Sequence, residues 1–455
     1  MSQPLWTLHE IAEALGVVCG AADVAVHRVV SDSRQVQAGD VFVALSGTPS
    51  GGFRSSFASA ADGHDYVADA AAKGAVAVIV GRRIEGVSIP QLVVADTLMD
   101  GLWKLAAAAR ARFGGQVIGL TGSAGKTTTK DMLRVMLARV GVVHAARASF
   151  NNFWGVPLTL CNMPRDADFA VVEMGMNQAG EIARLSQLAK PDVALVVNVM
   201  PVHVEHLGSV EAIRREKVSI AEGLAKGGIL VLPDEVSAEG VRADVRVVRF
   251  DDRAEVTADG TDWRVTAGDV VFMLREGAPH RLYNALAALA AVRCLQGVDV
   301  AKAAAGVEDN GLDVGRGAVE EVAGVVVVDD SFNGNPASMA AALAALKARP
   351  VRGRRVAVLG DMLELGAEAV AYHEGLAPKL VGIDGVVCVG PLMAHLFELL
   401  PVEKRWHYEA DPKAFDPAVV AKLLQAGDAV VVKGSKKMLY VQQVVPRLKA
   451  ALNSN

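Results

Sequence analysis

The chain has 455 residues, 52% apolar and 21% charged, with a formal net charge of −5. That length suits about three domains of roughly 150 residues, each with its own buried core. The balance is globular and mildly acidic, which excludes a disordered chain and argues against nucleic acid as a partner.

The N-terminal stretch "MSQPLWTLHEIAEALG" carries no basic region, and acidic residues interrupt its apolar positions. It predicts a short amphipathic helix, not a signal peptide. No uncharged apolar run is long enough to span a membrane, and the alanine-rich stretch 285–292 stops at Arg293. Cys19, Cys161, Cys294 and Cys388 are far apart and form no C-x-x-C pair. A zinc or redox motif is therefore disfavoured, and a cytoplasmic protein with reduced thiols is expected.

Short β-branched runs then alternate with alanine- and leucine-rich helical stretches. The runs cover 117–120, 169–173, 193–198, 229–232, 324–330, 355–360, 385–390 and 428–433. This alternation predicts an α/β fold with mainly parallel sheets. Polar, glycine-bearing seams at 112–116 and 308–317 divide the chain into 1–112, 113–314 and 315–455. Polar residues recur where the runs end: Thr121, Glu173, Asn198, Asp329, Asp330, Asp361 and Lys433. Open parallel sheets bind ligands outside the carboxyl ends of their strands. Any one of these residues could cap a helix or sit in a surface turn, but together they describe a cleft.

The stretch "LTGSAGKTTTK", residues 120–130, lies between the first central strand and a helix expected over 127–140. Backbone N–H groups from Thr121, Gly122, Ser123, Ala124 and Gly125 onward can surround phosphate oxygens, helped by the helix dipole. Lys126 adds a positive charge for the terminal phosphates, and the Thr127 hydroxyl, followed by Thr128, is placed for Mg²⁺. Gly122 and Gly125 permit close approach and positive φ. The usual first glycine of such a loop is missing, since Leu120 holds its place.

T-G-x-x-G-K-T-T is the loop form of the Mur ligases and their folylpolyglutamate synthetase relatives, and this chain resembles that family over nearly its whole length. The resemblance also rests on "SDSRQVQAGDVFVAL" (31–45), "SFNNFWGVP" (149–157), "EMGMNQAGEI" (173–182), "HVEHLGSVEAIRREK" (203–217), "DDSFNGNPASM" (329–339), "LGDMLELG" (359–366) and "VVVKGS" (430–435). These segments are similar to those of the family branch that adds D-alanyl-D-alanine. The D-N-P-R segment of the diaminopimelate- or lysine-adding branch is absent. Two departures stand out. The link from Ser46 to Tyr66 is longer than usual, and in "HRLYN" (280–284) Arg281 stands where the family has asparagine.

The resemblance implies a three-domain Mur ligase architecture. Residues 1–112 would bind a UDP-sugar. Residues 113–314 would form a P-loop ATPase domain. Residues 315–455 would form a Rossmann-like domain that binds the dipeptide and closes on ATP. The implied reaction joins D-alanyl-D-alanine to UDP-MurNAc-tripeptide at the expense of ATP, through an acyl phosphate, in a cytoplasmic monomer. A Mur ligase with another acceptor is the first alternative. A nucleotide-gated binding protein is the second.

The resemblance also implies roles. Glu173 and His203 would hold Mg²⁺, with His206 as competitor for the histidine's part, and Thr127 would join them. Lys217 would be carbamylated and serve a second Mg²⁺; an ordinary solvated lysine is the plain alternative. Asn284, Arg316 and Asp330 would meet ATP. Ser33, Asn151 and Asn152 would meet the UDP-sugar. Asn333, Asn335, Asp361 and Lys433 would lie near the dipeptide and the reacting end.

Overall fold

The computed structural model describes residues 4–47, 61–146, 149–201, 207–310 and 315–454. It is an α/β structure built on three parallel-rich sheets, with helices packed against them. The first sheet has four parallel strands in the order Arg28–Val30, Asp40–Val43, Ala77–Val80 and Gln91–Val93. The expected N-terminal helix runs Leu8–Leu15. A Thr7–Glu10 capping box starts it, and Gly16 at φ 73° ends it.

The central sheet has six parallel strands in the order Arg246–Phe250, Ile229–Pro233, Val193–Val196, Gln116–Thr121, Phe169–Glu173 and Val143–Ala145. Gln116–Thr121 sits inside the sheet, buried from Val117 onward, which explains its unbroken apolar run. From that strand the chain first crosses to one edge of the sheet. It then returns to Glu173, and only afterwards crosses to the other side. This reversal puts the glycine loop at a topological switch point, between the ends of the Glu173 and Val196 strands.

The third sheet follows the order Ala318–Val322, Val325–Asp330, Ala429–Lys433, Arg355–Gly360, Gly385–Val389 and Arg405–Glu409. All its pairs are parallel except the first, a hairpin. Its register sets Asp330 beside Lys433.

Each expected strand is present. Two features were not anticipated. One is an antiparallel meander of Glu255–Asp259, Asp262–Ala267 and Val270–Leu274. Its first strand is exposed at every residue, so no apolar period marks it. The other is the end of the helix Val210–Val218, which tightens to a 3₁₀ turn over Ser219–Gly223. The four cysteines are free. Among the described residues, no helix is long and apolar enough to cross a membrane.

Candidate active site

The glycine loop leads into the helix Lys126–Ala138, with Gly125 at φ 74° as its N-cap. That conformation favours glycine, and a Cβ there would sit 2.4 Å from Asn284 Oδ1. The Lys126 ammonium turns back and donates to Gly122 O at 2.7 Å. Burial pulls its pKa below the usual lysine value, against the attraction of Glu173. Thr121 is fully buried, and its hydroxyl finds no partner among the described residues.

Asn198 shapes the loop. Its Oδ1 accepts from Ser123 N at 3.0 Å and Ala124 N at 2.9 Å, while its Nδ2 donates to Ala124 O at 3.1 Å. Ser123 Oγ donates to Met200 O at 3.1 Å and accepts from Met200 N at 2.8 Å. The end of one strand therefore holds the loop that follows its neighbour.

Glu173 is 3% exposed at the end of its strand. Oε2 accepts from Thr127 Oγ1 at 2.9 Å. Oε1 accepts from Ser149 Oγ at 2.9 Å and Asn151 Nδ2 at 2.7 Å. One carboxylate and two hydroxyls thus converge, and oxygen donors of this kind suit a hard divalent cation. The described residues hold no cluster of three His, Cys, Asp or Glu side chains. His203 and His206 lie outside the described residues.

Lys217 is 2% exposed, on the helix Val210–Val218. Among the described residues its hydrogen-bond partner is Met176 Sδ, at 4.0 Å. Burial, and then repulsion from Lys126, push its pKa well below the usual lysine value, and Glu216 opposes this only in part. The solvated surface lysine weighed from the sequence is excluded. Glu216 fixes the helix in place. Its carboxylate accepts from Gly180 N at 2.7 Å and Ile182 N at 2.8 Å, at the start of the helix Glu181–Ala189.

On the third sheet, Lys433 Nζ lies 2.7 Å from Asp330 Oδ2 and donates to Asn333 O at 3.0 Å. Burial raises the Asp330 pKa even against Lys433. The Arg316 guanidinium stacks 4.2 Å from the Phe332 ring centre. Arg316 and Asp330 line a cavity with Thr128, His280, Arg281 and Leu346, so the central and third sheets share it. A larger cleft of about 2290 Å³ lies between the first and central sheets. Ser33, Arg34, Thr97, Trp154 and Arg165 are among the residues that line it.

Several of the expected ligand-binding residues also hold contacts within the protein. Asn151 bonds Glu173 and Ser149. Asn152 Oδ1 accepts from Gly155 N at 2.8 Å and Trp154 N at 3.3 Å, which starts the helix Gly155–Cys161. Asn335 forms a capping box with Ser338 at the head of Pro336–Ala348. Asp361, 1% exposed, accepts from Met393 N at 2.8 Å and Leu392 N at 3.2 Å. Asn333 Oδ1 accepts from Gly334 N at 3.0 Å. Asn284 packs against Gly125, while Arg281 lines the cavity. The sequence reading singled out none of Ser149, Glu216 or Met176, and it noted Asn198 only as a strand end.

A strand–loop–helix phosphate cradle, a carboxylate beside its threonine and a cavity shared with a second α/β sheet define a nucleotide-dependent P-loop enzyme. Residues 120–292 match the Mur ligase middle domain, and residues 315–436 match the Mur ligase, glutamate ligase domain. The UDP-N-acetylmuramoyl-tripeptide–D-alanyl-D-alanine ligase of Escherichia coli (strain K12) is 34% identical over 403 residues, covering 84% of this chain and 86% of that protein. The ligase of the same name from Bacillus subtilis (strain 168) is 31% identical and covers 94% of each chain. A crystal structure of MurF from Acinetobacter baumannii superposes with a TM-score of 0.80 at 27% identity, covering 98% of this chain and 99% of that one. The MurF ligase of Thermotoga maritima in complex with ADP gives a TM-score of 0.75 at 28% identity, covering 94% and 98%. The chain belongs to the Mur ligase family.

Replacing Asn198 by alanine leaves the Ser123 and Ala124 N–H groups without their side-chain acceptor. The expected result is a loss of about 1–3 kcal/mol in stability and weaker ADP binding. Urea unfolding and calorimetric titration with ADP check this.

Proposed function

We propose that this chain joins D-alanyl-D-alanine to UDP-MurNAc-tripeptide, with ATP converted to ADP and phosphate. The observation that carries this reading is the meeting of Thr127 with Glu173 at the end of a central strand, with buried Lys126 drawn toward Glu173 and buried Lys217 near enough to be repelled by Lys126. The relatives named as D-alanyl-D-alanine ligases, which align over most of the chain, support the choice of acceptor.

A carboxylate is a poor electrophile, because oxide is a poor leaving group. The tripeptide carboxylate attacks the γ-phosphorus, ADP leaves, and an acyl phosphate remains. The neutral amine of the dipeptide then adds to the acyl carbon. The tetrahedral intermediate expels phosphate, and the amine gives up a proton. The first step brings two anions together, so positive charge must meet them. Lys126 supplies part of it once a phosphate replaces Gly122 O as its partner. Mg²⁺, when bound, would neutralise phosphate charge; Thr127 and Glu173, with His203 from outside the described residues, would hold it, and Lys217 would serve a second ion.

An ammonium group at Lys217 would oppose a cation there. Burial and the nearby Lys126 charge favour the neutral amine at Lys217, the form that adds CO₂ and releases a proton to become a carbamate. We assign that modification to Lys217. The carbamate turns an opposing charge into an oxygen anion.

Asp330 would accept from the ribose hydroxyls, with Arg316 near the phosphates. Ser33 and the cleft around it would take the UDP-sugar, so residues 1–112, 113–314 and 315–455 would each serve a different ligand. Lys433, Asn333 and Asp361 would act near the dipeptide through position. Closure of the third part on the second would exclude water from the acyl phosphate.

Phosphate release tests the reading. With ATP and UDP-MurNAc-tripeptide it should be slow, and D-alanyl-D-alanine should accelerate it strongly. Hydrolysis indifferent to the dipeptide would favour the nucleotide-gated binding protein, and acceleration by another amino acid would favour a different ligase. Lys217→Ala should be nearly inactive and partly rescued by formate or acetate at fixed ionic strength. A purely structural lysine predicts a flat titration instead.

A further inference from the structure

The cavity between the central and third sheets has a chemically mixed lining. Thr128, on the helix that follows the phosphate loop, lines it together with Arg316 and Asp330. Val328, Ala342, Ala345 and Leu346 form apolar walls, and Glu276, Arg281 and Arg349 supply charge. Apolar walls with charged groups among them suit a heterocycle that carries polar atoms on its rim.

Arg281 is 5% exposed. One Nη reaches Asn310 O only at 3.4 Å, and Nε finds no partner among the described residues. Glu276 attracts it from nearby, but the Glu276 carboxylate is engaged by Arg349. A buried guanidinium with an unused N–H calls for an acceptor. A nucleotide seated with its phosphates at Thr128 would offer one through its base.

We propose that Arg281 reads the base and opens this cavity to guanine nucleotides, so that GTP as well as ATP serves as phosphoryl donor. The proposal rests on the cavity being the nucleotide site. A guanidinium offers only donors. Guanine presents O6 and N7 as adjacent acceptors, which a guanidinium meets with two bonds. Adenine presents an amino group between its acceptors, so one of the two bonds is lost. Glu276 lines the same cavity and, by exchanging its ion pair with Arg349, would offer an acceptor for guanine's N1–H and amino group. The transfer itself is unchanged: the bond from the β,γ-bridging oxygen to the γ-phosphorus breaks, and GDP leaves in place of ADP.

Calorimetric titration of the full chain with ADP and with GDP tests this apart from turnover, with phosphate release from ATP and GTP as a second readout. The wild type should bind GDP within about tenfold of ADP, or more tightly. Arg281→Asn, whose carboxamide supplies one donor and one acceptor, should shift the GDP-to-ADP preference toward ADP by at least about tenfold. A wild type that prefers ADP by more than about a hundredfold overturns the proposal and leaves the nucleotide site intact. So does an Arg281→Asn variant that weakens both nucleotides equally, the signature of a structural arginine. If neither nucleotide binds the wild type, the nucleotide site itself falls. The wild-type ratio needs no variant, so poor folding of Arg281→Asn does not protect the idea.

Discussion

Two buried lysines, Lys126 and Lys217, lie close enough for one to repel the other, and the rest of the site depends on how that charge is settled. Burial depresses both, Lys126 repels Lys217 and Arg316 repels Lys126, and among the described residues the Lys217 amine meets no hydrogen-bond partner but the Met176 thioether at 4.0 Å. Two uncompensated ammonium groups would be costly in a low-dielectric interior. The cost falls when phosphate pairs with Lys126 and when Lys217 gives up its positive charge. Both changes prepare the site for an anionic nucleotide and a cation. Lys126 rests on a neutral carbonyl, a partner that a phosphate oxygen can replace.

The sheets fix where those charges meet. Adjacent parallel strands end in Thr121 and Glu173, so loop and carboxylate must lie side by side. Asn198 ties the loop to the next strand, and Glu216 ties the Lys217 helix to the segment after Glu173. The third sheet repeats the device with Asp330 and Lys433 in register. An Arg349–Glu276 ion pair joins the helix after Asp330 to the helix Pro279–Val292 region of the central part. The two parts are thus held with their strand ends facing a common cavity.

What was legible in the sequence was local. Strand, glycines, lysine, threonine and helix follow one another in the loop, and the apolar runs mark strands buried on both faces. The structural roles of the asparagines were not legible. Asn151, Asn152 and Asn335 stand in a sequence context that points to ligands, and the same carboxamides also serve on a carboxylate or at a helix start, which only the fold shows. Asn198 acts on residues 74 and 75 positions away, a distance no local pattern spans. Arg281 sits in a helical run rich in alanine and leucine, where an arginine is ordinarily expected to face water. The meander at 255–274 lacks an apolar period in its first strand. Lys217 shows both sides of this. The resemblance singles it out, but only the structure shows it buried.

The central claim is that Lys217 carries a carbamate. Enzyme equilibrated with ¹³C-labelled bicarbonate and examined by ¹³C NMR tests it most directly. The account predicts a carbamate carbonyl resonance in the wild type that is absent from Lys217→Ala and fades when CO₂ is removed, together with activity. A fully active wild type with no such resonance would contradict it.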